Sequence, residues 1–143
     1  MKLVVGITGS TGVIYGIRLL EILKRLNIET HLVMSQWAEK CIVMETVHDL
    51  NYVKSLATES SDEANMAASI SSGTHKTDGM IVIPCSMKTL SSVANGYDET
   101  LVARAAGVML KESRKLILVV RETPLTAINL ENMLKLARLG VVI

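Results

Sequence analysis

The sequence predicts an α/β fold of the doubly wound kind, a parallel β-sheet with helices on both faces. Short apolar runs alternate with helix-length segments along the chain. The apolar runs are continuous rather than alternating, as in strands that are buried on both faces. Parallel neighbours need helical crossovers, which the helix-length segments supply. These observations together indicate three layers.

Five runs of β-branched or aliphatic residues, bounded by Gly, Ser, Pro or charged residues, predict the strands. They are residues 3–5, 30–34, 80–83, 116–120 and 141–143. The first predicted helix, 13–26, carries Val13, Ile17, Leu20 and Leu23 at spacings of three or four residues. The other predicted helices are 37–44, 98–112 and 126–139.

The stretch 47–77 is the least regular part of the chain and the main candidate for a mobile or site-forming segment. The last predicted strand, GVVI, ends at residue 143, where a doubly wound domain would normally continue into a covering helix. We therefore expect a single domain over residues 1–143, shortened at its C-terminus.

The composition narrows the classes of function. The balance of 15 basic and 14 acidic residues predicts no basic face for nucleic acid. No apolar run reaches the length of a membrane helix or a signal-peptide core, so no membrane partner is expected. Cys41 and Cys85 are far apart, which argues against a disulfide framework or a thiolate metal site and favours a reducing cytoplasm.

The glycine-rich stretch GITGSTG separates the first predicted strand from the first helix. Such a turn presents backbone N–H groups and a helix dipole to an anion. The spacing of Gly6, Gly9 and Gly12 matches neither the dinucleotide fingerprint nor a Walker A motif, because no Lys follows the last glycine. The second strand also lacks a following acidic residue for a ribose, which disfavours NAD. A mononucleotide monoester fits better, and a turn without a ligand stays open.

The other predicted strands also end in polar residues, and ligands of open parallel sheets collect at the carboxyl ends of the strands. Ser35 follows the second predicted strand. The run Cys-Ser-Met-Lys-Thr, residues 85–89, follows MIVIP of the third strand, and Arg121 and Glu122 follow LILVV of the fourth. Ordinary helix caps and a surface ion pair would account for the same residues.

Arg104 and Lys111 are seven residues apart in a predicted helix, so they share one face at a separation of ~10 Å. They indicate either a phosphate site between elements or subunits, or a solvated basic stripe. The three histidines lack metal-ligand spacing, so no metal site is expected. His31 lies in a strand pattern and is predicted to be a hydrogen-bonded structural residue.

Several strings resemble those of a known family, the flavin prenyltransferases, including the small B subunits of hydroxyarylic-acid decarboxylase systems. They are GITGSTG with YGIRLLE, MSQWA, DGMIVIPCSMKTLSSVANGY, ARAAGVMLKESRKLILVVRETPL and LENMLKLARLG. The similarity runs over essentially the whole chain, and IPCSMKTL is among its most specific strings. It implies a flavodoxin-like, Rossmann-type fold and a homo-oligomer, commonly a dodecamer built from trimers.

The resemblance also implies an activity, transfer of a dimethylallyl group from dimethylallyl phosphate to reduced FMN without a metal. The product, prenyl-FMN, would serve a partner decarboxylase. The implied FMN contacts are Gly9, Ser10, Thr11, Ser35, Ser86, Met87, Lys88, Thr89 and Arg121. The implied catalytic and prenyl-phosphate residues are Glu122, Lys111, Arg104, Glu45 and Ser72.

The sequence departs from the family pattern at several points. The family usually continues past residue 143 with a P-x-F-Y segment and a later Arg that bind the prenyl phosphate. Asn129 stands where His is usual, His75 where Phe is common, and Val13 where Ala is more usual. We therefore expect FMN binding but little or no transferase activity from these 143 residues.

Alternatives from other classes stay open. FMN-dependent cysteine decarboxylases share the frame but carry P-A-S-A-N-T where this chain has PCSMKT. A non-catalytic FMN-binding or carrier subunit is compatible with a shortened chain. An electron carrier is disfavoured, because an aromatic content of 3% leaves few side chains to stack on a flavin.

Overall fold

Five parallel strands form one sheet in the computed structural model, which describes residues 1–143. The strands are β1 (Lys2–Ile7), β2 (Glu29–Met34), β3 (Glu59–Asp62), β4 (Gly79–Cys85) and β5 (Lys115–Val120), in the order β3-β2-β1-β4-β5. The chain winds outward from β1 to β3 and then returns to the other side of β1. The predicted doubly wound fold is confirmed, with its topological switch point between β1 and β4.

Six helices cover the sheet, and none is both long and apolar enough to cross a lipid bilayer. They are α1 (Val13–Arg25), α2 (Gln36–Glu45), α3 (Leu50–Ser55), α4 (Met87–Asn95), α5 (Leu101–Lys111) and α6 (Ala127–Arg138). The apolar positions that predict α1 are all buried in the structure.

The sheet has one apolar core on each face, because successive residues of a strand point to opposite sides. Val5 and Leu32 belong to the core beneath α1, α2 and α3. Val4 and Val33 belong to the core beneath α4, α5 and α6. Both cores stop at the carboxyl edge of the sheet, where polar loops take over.

The stretch 47–77 is more regular than the sequence predicts. It contains α3, β3 and a short 3-10 turn at Ser69–Ser71. The strand β3 has the polar sequence ESSD and pairs with β2 at the edge of the sheet, from His31 with Glu59 to Met34 with Asp62. Backbone pairing to β2 makes this strand, and an apolar pattern could not reveal it.

Three further elements differ from the prediction. The helix α4, absent from the predicted elements, begins after Ser86. The helix α5 begins later than residue 98, because the Thr100 hydroxyl accepts the backbone N–H of Ala103 at 3.3 Å and caps the helix there. The predicted strand 141–143 is reduced to a single parallel bridge between Val142 and Ile117.

His31 is a buried polar residue of β2, with 3% of its surface exposed. Its Nε2 lies 2.8 Å from the Ser61 hydroxyl, which confirms the predicted hydrogen-bonded role. Its Nδ1 lies 3.1 Å from Oε2 of Glu59 without the alignment of a hydrogen bond. Burial lowers the pKa of His31, and the neighbouring Glu59 carboxylate opposes that shift.

This lowered pKa predicts a loss of stability in mild acid. The unfolded chain binds more protons than the native one below about pH 6.5, so the free energy of unfolding falls as pH falls through that value. We expect the urea midpoint to drop between about pH 7.5 and about pH 5.5 by more than it does in His31→Gln. Equal drops in the two proteins would contradict this assignment.

Candidate functional site

A polar cavity of about 260 Å³ lies beyond the carboxyl ends of four strands, next to the switch point of the sheet. We call it the polar pocket. Residues that directly follow β1, β2, β3 and β4 line it, together with side chains from the first turns of α2 and α4. The lining residues are Thr8, Gly9, Ser35, Gln36, Trp37, Glu63, Ser86, Lys88, Thr89, Ser92 and Thr100.

Three helices begin at the polar pocket. Ser35, Ser86 and Thr100 are the N-cap residues of α2, α4 and α5, and their hydroxyls accept backbone N–H groups at 3.0, 3.3 and 3.3 Å. The N–H groups of these first turns that have no partner within the chain, and the positive end of each helix dipole, are suited to binding an anion. Their convergence makes the pocket strongly attractive to a phosphate or carboxylate group.

Thr8 fixes the junction between the first loop and the start of α4. Its buried hydroxyl donates to the carbonyl of Pro84 at 2.8 Å and accepts the backbone N–H of Ser86 at 2.8 Å. These bonds join the end of β1 to the end of β4, so the two loops hold a defined spacing across the pocket.

Gly9 is where the first loop touches α2. A Cβ atom placed on Gly9 would overlap the Cβ of Trp37 and lie 3.2 Å from its carbonyl carbon. The glycine therefore allows the loop to approach the first turn of α2 closely. The Trp37 ring itself is 64% exposed, with the Lys40 ammonium 4.3 Å from its centre.

The glycine-rich loop is not an open anion cradle at its far end. The backbone N–H of Gly12 donates to Oε2 of Glu45 at 3.0 Å, so a carboxylate from the end of α2 already occupies the start of α1. The Ser10 hydroxyl donates to the carbonyl of Arg121 at 3.1 Å. The loop thus lines the pocket at Gly9, contacts the residue that follows β5 through Ser10, and contacts the end of α2 through Gly12.

Cys85 is a structural residue. It is fully buried at the end of β4, and burial raises the pKa of its thiol to about 12. The thiolate fraction near neutral pH is therefore negligible, which excludes Cys85 as a nucleophile.

Comparison with known proteins identifies the family. The Flavoprotein family model matches residues 1–143. A probable UbiX-like flavin prenyltransferase of Escherichia coli O157:H7 is 57% identical over 142 residues, which are 99% of this chain and 72% of that relative. The chain belongs to the flavoprotein family and is similar to its flavin prenyltransferases.

Two solved structures of similar proteins have nearly the same fold. A dodecameric FMN-dependent Ubix-like decarboxylase from Escherichia coli O157:H7 superposes with a TM-score of 0.98 at 57% identity, covering 99% of this chain and 78% of the other. AnUbiX (PadA1) in complex with FMN and dimethylallyl pyrophosphate gives 0.97 at 52% identity, covering 99% and 75%. The flavodoxin-like, three-layer architecture expected of a flavin prenyltransferase is confirmed.

The structure gathers part of the predicted flavin site in the polar pocket. The predicted residues that line it are Gly9, Ser35, Ser86, Lys88 and Thr89. Ser10, Thr11, Arg121, Glu122 and Glu45 lie outside the lining, in or beside the loops that adjoin it. Met87 differs from these residues, because its side chain packs against the core beneath α4, α5 and α6.

The predicted prenyl-phosphate cations, Arg104 and Lys111, do not line the polar pocket. Lys111 ends α5 at the amino edge of the sheet, whereas Glu122 follows β5 at the carboxyl edge. A six-residue strand separates these edges by ~20 Å. One chain therefore does not bring Lys111 and Glu122 into one site. A phosphate site between subunits and a solvated basic stripe both stay open.

Arg104 is held on the outer face of α5 next to the 3-10 turn. Its Nε donates to the carbonyl of Ser71 at 3.0 Å, and Nη1 pairs with Asp98 at 3.2 Å. Ser72 follows in the same turn, and Lys111 pairs with Glu112 at 3.0 Å. Arg104, Lys111 and Ser72 thus form a second group, the α5 face.

Several residues that line the polar pocket are not predicted from the sequence. Ser92 lies one helical turn after Lys88, and Thr100 is a cap residue, so both follow from the placement of α4 and α5. Glu63 follows a polar strand that has no apolar signature, and only the pairing of β3 with β2 brings it to the pocket.

Proposed function

We propose that this protein transfers a dimethylallyl group from dimethylallyl phosphate to reduced FMN, and that the polar pocket holds the phosphate of FMN. The observation that carries the proposal is the convergence of three helix N-termini on one cavity. The identity of 57% to a probable flavin prenyltransferase supports it.

The donor set of the polar pocket fits a phosphate monoester. Backbone N–H groups of α2 and α4, the hydroxyls of Ser35, Ser86 and Thr89, and the Lys88 ammonium would share its oxygens. Thr11, Ser10 and Arg121 lie along the adjoining loops and would hold the remainder of the molecule, with the backbone of Met87 in the first turn of α4. Reduced FMN supplies the nucleophilic ring of the reaction.

The prenyl-phosphate side would be completed by a second copy of the chain. The α5 face offers Arg104 and Lys111, whose charges would neutralise the leaving phosphate as the allylic C–O bond breaks. Glu122 and Glu45 would come from the copy that holds FMN, with Glu122 moving a proton at the phosphate or the flavin. Ser72 would accompany the cations of its own copy. These roles imply a homo-oligomer, and the dodecameric relative supports a trimer-based dodecamer.

We further propose that the prenyl-FMN product passes to a partner decarboxylase that depends on it. Both cysteines of the chain are free, which supports a reducing compartment such as the cytoplasm.

The direct test is anaerobic incubation of the protein with reduced FMN and dimethylallyl phosphate, followed by mass analysis of the released flavin. We expect a flavin heavier by one C5 unit, and the same assay tests the sequence-based expectation of a low rate. Protein that retains no flavin would overturn the proposal.

A second candidate function is an FMN carrier without transferase activity. The observation that favours it is that one chain forms the polar pocket, whereas Lys111 of the α5 face lies at the opposite edge of the sheet. Tightly bound FMN that never gains mass would support the carrier. Turnover of pantothenoylcysteine would instead support the cysteine decarboxylase function.

A further inference from the structure

Glu63 is the single acidic side chain that lines the polar pocket. It directly follows β3 and is half-buried. Its Oε2 accepts the backbone N–H of Gln36, the first residue of α2, at 3.2 Å. Its backbone carbonyl accepts the N–H of Leu101, the first residue of α5, at 2.9 Å. Two helix N-termini of the pocket therefore hold Glu63 in place.

The negative charge of a carboxylate at this position disfavours the anionic ligand that the rest of the pocket favours. Every other feature there, from the helix dipoles to Lys88, favours an anionic ligand. Glu63 occupies one N–H group that a phosphate oxygen could otherwise accept, and its negative charge would repel a phosphate. Local capping of α2 does not require it, because Ser35 already caps that helix.

The charged groups around Glu63 do not cancel its charge. Lys88 on α4 faces it from one side, whereas Glu39 on α2 and the adjacent Asp62 add negative charge. Burial raises the pKa of Glu63, and the bond from Gln36 and the Lys88 charge oppose that shift. Protonation of Glu63 would convert the pocket from a mixed site to a purely cationic one.

We propose that Glu63 is an internal competitor for the phosphate of FMN, which limits the affinity of the pocket for flavin and promotes release of the flavin product. This inference rests on the proposed function, because it takes FMN as the ligand. Ionised Glu63 weakens binding, and neutral Glu63 permits tighter binding. A transferase that hands its product to another enzyme gains from such a limit, since very tight binding would retain the product.

The test compares FMN affinity in the natural protein and in Glu63→Gln, measured by quenching of flavin fluorescence. The glutamine keeps an oxygen for the Gln36 N–H, removes the charge and replaces the other carboxylate oxygen by an NH2 group. We expect Glu63→Gln to bind FMN about tenfold more tightly near neutral pH, the effect of one like charge at the pocket wall. The ratio between the two proteins should shrink toward one in acid, where Glu63 is neutral in the natural protein.

The affinity ratio near neutral pH is the decisive measurement. The phosphate of FMN gains a proton near pH ~6, which by itself weakens the repulsion from ionised Glu63. Glu39→Gln is the matched control, because Glu39 also lies near Glu63 but pairs with Lys54 at 3.2 Å and does not line the pocket. We expect that control to change FMN affinity less than about twofold.

Riboflavin, which lacks the phosphate, separates this role from a general effect on the pocket. We expect its affinity to be the same in the natural protein and in Glu63→Gln, and we expect dissociation of FMN to be slower from the variant. Unchanged or weaker FMN binding by Glu63→Gln, or an equal gain for riboflavin, would overturn the inference. Failure of the natural protein to bind FMN at all would instead overturn the proposed function.

Discussion

Chains carrying Arg104→Ala, co-expressed with chains carrying Glu122→Gln, are expected to recover about a quarter of the transferase activity of the unsubstituted protein. Each variant alone should lose activity ~100-fold, because one lacks the cation that we propose neutralises the leaving phosphate and the other lacks the carboxylate that we propose transfers a proton. The measurement is the yield of C5-labelled flavin over a fixed incubation.

The expected fraction follows from sites that two copies share. A working site needs an intact α5 face from a Glu122→Gln chain and an intact Glu122 from an Arg104→Ala chain. Random assembly of equal amounts supplies each with a chance of about one half, and both together in about a quarter of the sites. A site built within one chain would never be repaired by mixing.

A matched pair of variants controls for effects of co-expression. Lys88→Ala and Glu122→Gln both alter the half of the site that we assign to the FMN-holding copy. Mixed assemblies of these two variants should therefore stay as inactive as each variant alone. If the Arg104→Ala mixture recovers no more activity than this control, the proposal of a shared site is wrong.

Gly9→Ala is expected to abolish most FMN binding while leaving a folded protein. The added methyl group would overlap Trp37 at its Cβ, which cannot rotate away, so the first turn of α2 has to move. That turn presents the N–H groups that follow Ser35 to the polar pocket. We expect FMN affinity to fall at least ~10-fold and the free energy of unfolding to fall by about 1–3 kcal/mol, as for other overpacked sites.

Gly6→Ala is the control, because Gly6 belongs to the preceding strand and its added methyl group would meet only side-chain methyl groups at 3.4 Å. FMN titration and thermal unfolding of both variants provide the comparison. We expect Gly6→Ala to bind FMN as the natural protein does. Normal FMN affinity in Gly9→Ala would show that the close approach of the loop to α2 does not shape the pocket.

Sequence patterns predict correctly those elements that depend on residues close together in the chain. The spacing of Val13, Ile17 and Leu20 predicts α1, and its apolar face is buried in the structure. Ser35 and Ser86 are recognisable as cap residues, and both cap helices. Polar β3 and the shortened pairing at Val142 escape prediction, because pairing partners across the sheet rather than side-chain pattern decide them.

The sequence by itself determined the alternation of strands and helices, the parallel sheet and the hydroxyl-bearing turns at the strand ends. Only the tertiary structure decided that three helix N-termini meet at one cavity with Glu63, and that Lys111 lies at the opposite edge of the sheet from Glu122. The physical reason is the distance along the chain over which each kind of interaction acts. Propensity, periodicity and capping act within a few residues, whereas the position of a charge beside a pocket depends on the order of strands that are distant in the chain.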